Sequence, residues 1–101
     1  RIYMPYIQRV LKLSHTEIKN FDERFIKLNE EIGEIAVAVL QSRGLKHTDK
    51  SKKEIKENIL EEICDSIIVL LSMASYYKFT EKQIGAMINK KLDKWEGRIK
   101  K

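Results

Sequence analysis

Carboxylates in two short runs are the residues of this chain best suited to chemistry. Glu30, Glu31 and Glu34 head the stretch Leu28 to Leu40, L-N-E-E-I-G-E-I-A-V-A-V-L, which carries no further charge. Glu61, Glu62 and Asp65 occupy Ile59 to Leu71, I-L-E-E-I-C-D-S-I-I-V-L-L. In each run two acids stand three residues apart, Glu31 with Glu34 and Glu62 with Asp65, so on a helix each pair shares a face. Neither stretch itself holds a Lys or Arg to neutralise them; the positions four residues on are Ile35, Ala38, Ser66 and Val69. Asp65 is the sharpest case, because Ile63, Ile67, Ile68, Val69, Leu70 and Leu71 surround it on nearly every side. An ionised group buried without a partner costs several kcal/mol. Two carboxylates about 5 Å apart at an effective dielectric near 20 repel by roughly 3 kcal/mol. A cation answers both penalties. All-oxygen ligation selects a hard one, Mg²⁺ with Mn²⁺ as a substitute. Iron in a helical di-iron site calls for a Glu-x-x-His pair, whereas His15 and His47 follow Lys12 and Gly44 at that offset. Zinc lacks a Cys/His cluster. The reaction such a site serves best is metal-assisted attack of water on a phosphoanhydride.

The elements that must position these acids are helices. Tyr3 to Leu13 is amphipathic, with Ile7, Val10 and Leu11 on one side, and ends near Ser14. Ser14 with Glu17 forms a capping box that opens a second helix, Glu17 to Ser42. Phe21, Phe25, Leu28, Ile32, Ile35, Ala36 and Val39 recur at helical spacing as its core face, and the acids lie beside that face. Gly33, costly by about 1 kcal/mol in a helix interior, either admits a close approach or is simply tolerated. Gly44 ends the helix as the residue beyond its C-cap. After a polar loop, Leu45 to Lys50, Ser51 and Glu54 cap a third helix, Lys52 to Tyr77, apolar almost all round from Ile63 onward. Thr80 and Gln83 cap a fourth, carrying Ile84, Met87, Ile88, Leu92 and Trp95. No strand signal, repeat or low-complexity tract is present. The fold class is all-α, an antiparallel bundle of about four helices forming one domain over residues 1–101. A third helix apolar on so many sides needs more cover than this chain supplies, so a homodimer or homotetramer is expected.

Composition narrows the partners. The chain is 43% hydrophobic and 35% charged with one Pro and four Gly, which suits a soluble helical protein rather than a disordered one. No apolar run reaches membrane-spanning length, and the N-terminus carries no signal-peptide pattern. The first residue is Arg1 rather than Met, which leaves room for sequence ahead of it. Cys64 stands alone, excludes an internal disulfide and points to a reducing, cytoplasmic setting, where it is expected as a small buried hydrophobe. A net charge of +5, from 20 Lys and Arg against 15 Asp and Glu, calls for an anionic partner. The basic residues gather around residues 43–56 and the C-terminal end rather than in one stripe. That layout suits a metal site receiving a polyphosphate better than a stable nucleic-acid interface.

Glu30-Glu31-Ile32-Gly33-Glu34, followed by Glu62-Ile63-Cys64-Asp65, resembles the E-E-x-x-E … E-x-x-D signature of the MazG-like, all-α nucleoside triphosphate pyrophosphohydrolases. That superfamily also holds dimeric dUTPases, dCTP pyrophosphatases and phosphoribosyl-ATP pyrophosphatases. The resemblance runs from about Phe21 to Trp95 and includes helix order. It implies that Glu31, Glu34, Glu62 and Asp65 ligate Mg²⁺, and that Glu30 orients the attacking water or takes its proton. It further implies hydrolysis of a (d)NTP between the α and β phosphates, giving (d)NMP and pyrophosphate. Asn89-Lys90-Lys91 looks like the Asn-x-Lys of this family and would place Asn89 and Lys91 on the substrate. The phosphoribosyl-ATP branch shows Tyr-His soon after the Asp; here Ser66-Ile67-Ile68-Val69 stands there, which argues against that branch. For Tyr76, Tyr77 and Trp95, packing is a better reading than stacking on a base, and His15 and His47 have no partner pattern. The rival readings are a non-catalytic helical module that binds nucleotide, metal or a partner helix, and a basic nucleic-acid binder.

Overall fold

Capping chemistry sets three of the helix starts. A computed structural model describes residues 5–100 and shows four α-helices, with no strand among the described residues. They are α1 (Pro5–His15), α2 (Phe21–Ser42), α3 (Lys52–Tyr76) and α4 (Glu81–Ile99). Tyr3, where the first helix was expected to begin, lies outside the described residues. Ser51 and Glu54 cap α3 reciprocally, as do Thr80 and Gln83 at α4. The start of α2 differs from expectation. Ser14 is in the last turn of α1, where its carbonyl accepts from the Glu17 N–H at 3.2 Å, and α2 opens at Asn20 instead. The Asn20 side chain accepts from the Glu23 N–H at 2.8 Å, while Glu23 accepts from the Asn20 N–H at 3.0 Å. Asparagine caps as well as serine, so two boxes competed for this helix and the later one won.

Gly44 closes α2 as expected. It has φ 71°, its N–H donates to Gln41 O at 3.2 Å, and the Leu45 N–H donates to Leu40 O at 2.9 Å, which is a Schellman motif. The end of α3 repeats this pattern without glycine. Lys78 takes φ 62°, its N–H donates to Ser75 O at 2.8 Å, and the Phe79 N–H donates to Ala74 O at 3.2 Å.

α2 and α3 pair antiparallel: Arg24 of α2 reaches Ser72 of α3, while Glu34 further along α2 meets Glu62 nearer the start of α3. α1 lies against α3, and Ile7, Leu11, Leu28, Ala38 and Ile55 form the buried apolar core. Arg24 is buried at the junction of α1, α2 and α3. Its guanidinium donates to Ser72 O at 2.6 Å, Ser14 O at 3.2 Å and Lys19 O at 3.1 Å, which compensates its desolvation with carbonyl oxygens. Phe21 packs its ring against Tyr76 and Tyr77, at centroid separations of 5.8 and 5.2 Å, so those tyrosines are packing residues. Among the described residues, α4 touches α1 and neither α2 nor α3.

The buried face of α2 also differs from expectation. It runs Arg24, Leu28, Glu31, Ala38, whereas Phe25 and Ile32 are each 51% exposed. The two stripes share Leu28 and differ by a small rotation about the helix axis. The seam with α3 takes the one carrying Arg24 and Glu31, because their partners, the Ser72 carbonyl and the acids near Glu62, are on that side. Cys64 is likewise exposed rather than buried.

A left-handed backbone at a residue with a Cβ costs about 1–2 kcal/mol, part of which glycine returns through its larger unfolded-state entropy. Lys78→Gly should therefore raise stability by about 0.5–1 kcal/mol, or roughly 2–6 °C in thermal midpoint by calorimetry. Lys78→Val should lower the midpoint; the opposite order would contradict the Schellman assignment.

Candidate metal centre

Antiparallel pairing places the two acidic runs opposite one another. Carboxylate oxygens of Glu31, Glu62 and Asp65 lie within 4.8 Å of each other, as do those of Glu30, Glu31 and Glu34. Glu31 belongs to both groups and joins them. Glu31 and Glu62 are buried, Asp65 is half-buried, and Glu30 and Glu34 are exposed. Burial thus falls on Glu31 and Glu62 rather than most sharply on Asp65. The difference arises because Ile63, Ile67, Ile68 and Leu70 all remain exposed, so the apolar neighbours of Asp65 do not close over it. Glu61, flanking the second run, is exposed.

The electrostatics follow from this crowding. Hydrogen bonding to Glu34 does most to push the Glu62 carboxyl up to about 7, helped by burial and by the negative charges of Glu34, Glu31 and Asp65. Two carboxyl groups share a hydrogen bond only when one keeps its proton, and burial among like charges selects Glu62 to keep it. Lys27 corrects the expectation that no cation serves these acids. Its Nζ lies 2.6 Å from Glu30 Oε1 and 3.4 Å from Glu31 Oε1. The hydrogen bond and charge of Lys27 hold the Glu30 carboxyl below the usual range, and Glu30 in turn raises Lys27. The signal was present in the sequence: Lys27 precedes Glu30 by three positions and Glu31 by four, on the N-terminal side, where an i,i+4 pair is weaker. Lys27 is itself half exposed, and its single charge faces two acids on its own helix.

A donor set made only of carboxylate oxygens, supplied from two rigid helices and carrying more negative charge than one lysine balances, fits a hard divalent cation such as Mg²⁺ or Mn²⁺. Beside it, Lys27 borders a groove of about 900 Å³ between α1, α2 and α3, lined also by Arg9, Cys64 and Ile68. The groove is within the size range of small-molecule sites. Asn89 and Lys91 are not brought to the acids. Both are exposed on α4, which makes no contact with α2 or α3 among the described residues. Gly33 is exposed, and a Cβ there would meet nothing within 4 Å among the described residues, so no described element uses it for close approach. In comparisons with protein-family models, curated proteins and solved structures, nothing matches this chain.

The raised Glu62 group makes a signed prediction. Between its unfolded value near 4.5 and about 7, folded protein holds a proton that unfolded protein has released. In EDTA the contribution of this group to stability is therefore present at pH 5 and lost as pH rises through about 7. Mg²⁺ competes with that proton, so its stabilising effect should grow over the same interval. Thermal midpoints in EDTA and in Mg²⁺ from pH 5 to 8.5 should converge at the acid end and separate at the alkaline end, and Glu62→Gln should remove most of the EDTA slope.

Proposed function

We propose that this chain is a Mg²⁺-dependent nucleoside triphosphate pyrophosphohydrolase of MazG-like type, converting a (d)NTP to (d)NMP and pyrophosphate. The observation that supports this reading is the meeting of Glu31, Glu34, Glu62 and Asp65 across two antiparallel helices, crowded enough that Glu62 holds its proton up to about 7. Those four residues would hold the ion. A hard divalent cation supplies charge neutralisation for the triphosphate and acidity for a bound water. Water oxygen then bonds to the α phosphorus, the bond from that phosphorus to the bridging oxygen breaks, and pyrophosphate departs.

The remaining roles fall to residues around the cluster. Glu30, on its solvent side, orients the attacking water or receives its proton. Its pairing with Lys27 favours the orienting role as long as that ion pair holds. With Glu31 holding the ion, the Lys27 ammonium would have charge to offer a phosphate. Arg9 and Lys19 line the same groove, whose apolar floor has room for base and sugar. Asn89 and Lys91 would contact substrate only through an assembly that carries α4 to a site, in keeping with a homodimer or homotetramer. The setting is the cytoplasm, where the exposed Cys64 stays reduced. No helix of the described residues is long and apolar enough to cross a membrane.

The test is incubation with each (d)NTP and Mg²⁺, reading monophosphate and pyrophosphate. Asp65→Asn should lower turnover by at least about 100-fold, a loss at the upper end of that for a metal site's supporting partners, with the helical circular dichroism unchanged. Monophosphate with orthophosphate in place of pyrophosphate would overturn the cleavage position. Full activity in Asp65→Asn would overturn the site, and no hydrolysis of any nucleotide would leave the chain a binding module.

A further inference from the structure

A buried positive charge that the hydrolytic roles leave unused stands in the wall of the groove between α1, α2 and α3. Arg24 is 5% exposed, and carbonyl oxygens take four of its guanidinium N–H groups. Nε donates to Lys19 O at 3.1 Å and Nη1 to Ser72 O at 2.6 Å, while Nη2 donates to Ser14 O at 3.2 Å and Glu17 O at 3.5 Å. An arginine has five such groups, so one N–H on Nη1 is left over. Carbonyl dipoles satisfy hydrogen bonds but leave the unit charge in place. Among the described residues no carboxylate pairs with it, although buried charges are ordinarily paired.

The rest of the groove extends the surplus. Arg9 of α1 lines it, exposed, and pairs with no carboxylate among the described residues. The one carboxylate in the lining, Glu17, lies 3.6 Å from Lys19 Nζ and so answers that lysine rather than the arginines. Between these charges the lining is apolar, with Leu13, Ile67 and Ile68. Lys27 marks the end nearest the acids, 3.4 Å from Glu31. Arg24 marks another place, held to Ser72, which stands seven residues beyond Asp65 on α3, or about 10 Å along the axis. Polyphosphate held at the acids leaves Arg24 and Arg9 unanswered, because a plain nucleoside brings them no negative charge. Guanidinium forks match phosphate oxygens in geometry as well as charge.

We propose that the groove takes a nucleotide carrying a second phosphate on its ribose, received by Arg24 and Arg9 while the 5′-phosphates lie at the acids. This rests on the reading of the acids as a metal site for those 5′-phosphates, and the test keeps the two apart by measuring binding as well as turnover. The probes are adenosine 3′,5′-bisphosphate, adenosine 2′,5′-bisphosphate and AMP, titrated calorimetrically into the chain in Mg²⁺ at low salt. One of the bisphosphates should bind at least about 10-fold more tightly than AMP, the lower end for a charge-assisted hydrogen bond, and the gap should narrow as salt rises. Arg9→Gln should shrink the gap at least about threefold and leave AMP affinity unchanged. Lys82→Gln, exposed on α4, should alter neither. Equal binding of AMP and both bisphosphates overturns the inference, as does a gap that survives Arg9→Gln or a loss there that AMP shares equally. Arg24→Gln should abolish the gap; should that variant fail to fold, the unaltered chain and Arg9→Gln decide. Bisphosphate preference with no hydrolysis of any (d)NTP overturns the hydrolase reading alone, and hydrolysis without the preference overturns this inference alone.

Discussion

Carboxylates held against one another across the α2–α3 seam are the constraint around which this structure is built. Glu31 and Glu62 are buried within reach of each other and of Asp65, and each close pair of ionised groups costs on the order of 3 kcal/mol at an effective dielectric near 20. The chain alone relieves this in two partial ways. Glu62 retains a proton through hydrogen bonding to Glu34, and Lys27 bridges Glu30 and Glu31. Both are provisional, since a proton and a half-exposed ammonium are each readily displaced by a divalent ion. The opposite end of the seam carries the opposite charge: Arg24, buried and bound only to carbonyls of α1, α3 and the loop between α1 and α2. Arg24 locks the helices at one end, and this fixes how the carboxylates approach at the other.

A seam of this composition contributes little hydrophobic driving force. Serines at 66, 72 and 75 bring the helices close with small side chains, but they bury little apolar area, and their hydroxyls exchange water for carbonyl oxygens at modest net gain. The large apolar side chains of α2, α3 and α4 lie on other faces. Polarity inside and hydrophobicity outside are two consequences of one choice, because a helix face given to clustered acids is unavailable for core packing.

Helix number, the capping boxes of α3 and α4, the Gly44 stop of α2 and the opposition of the two acidic runs were all legible in the residues, because caps and carboxylate spacing are local and periodic. The rotation of α2 was not legible. Phe25, Leu28, Ile32 and Ile35 form a better apolar stripe than Arg24, Leu28, Glu31 and Ala38, and hydropathy alone selects the first. What decides for the second is pairwise: Arg24 needs the Ser72 carbonyl and Glu31 needs the company of Glu62, and neither demand exists until α3 is in place. Lys78 was hidden for a related reason. A lysine in the left-handed region has no sequence mark, and only the two backbone bonds around it reveal the Schellman turn.

Electrostatic strain inside and apolar cover outside are also what a hydrolytic metal site on helices would require. A cluster that repels itself must be kept from opening, yet any counter-charge strong enough to neutralise it from within would compete with the metal. Packing on the outer faces avoids that competition. Such packing would press α2 and α3 together without placing a cation among the acids, leaving apolar cover and acid cluster on different faces of the same helices. Natural sites commonly sacrifice stability for function and recover it elsewhere, and here the division follows the helix axis: Glu62 and Leu60 are two residues apart and about half a turn round α3, one aimed into the seam and the other away from it.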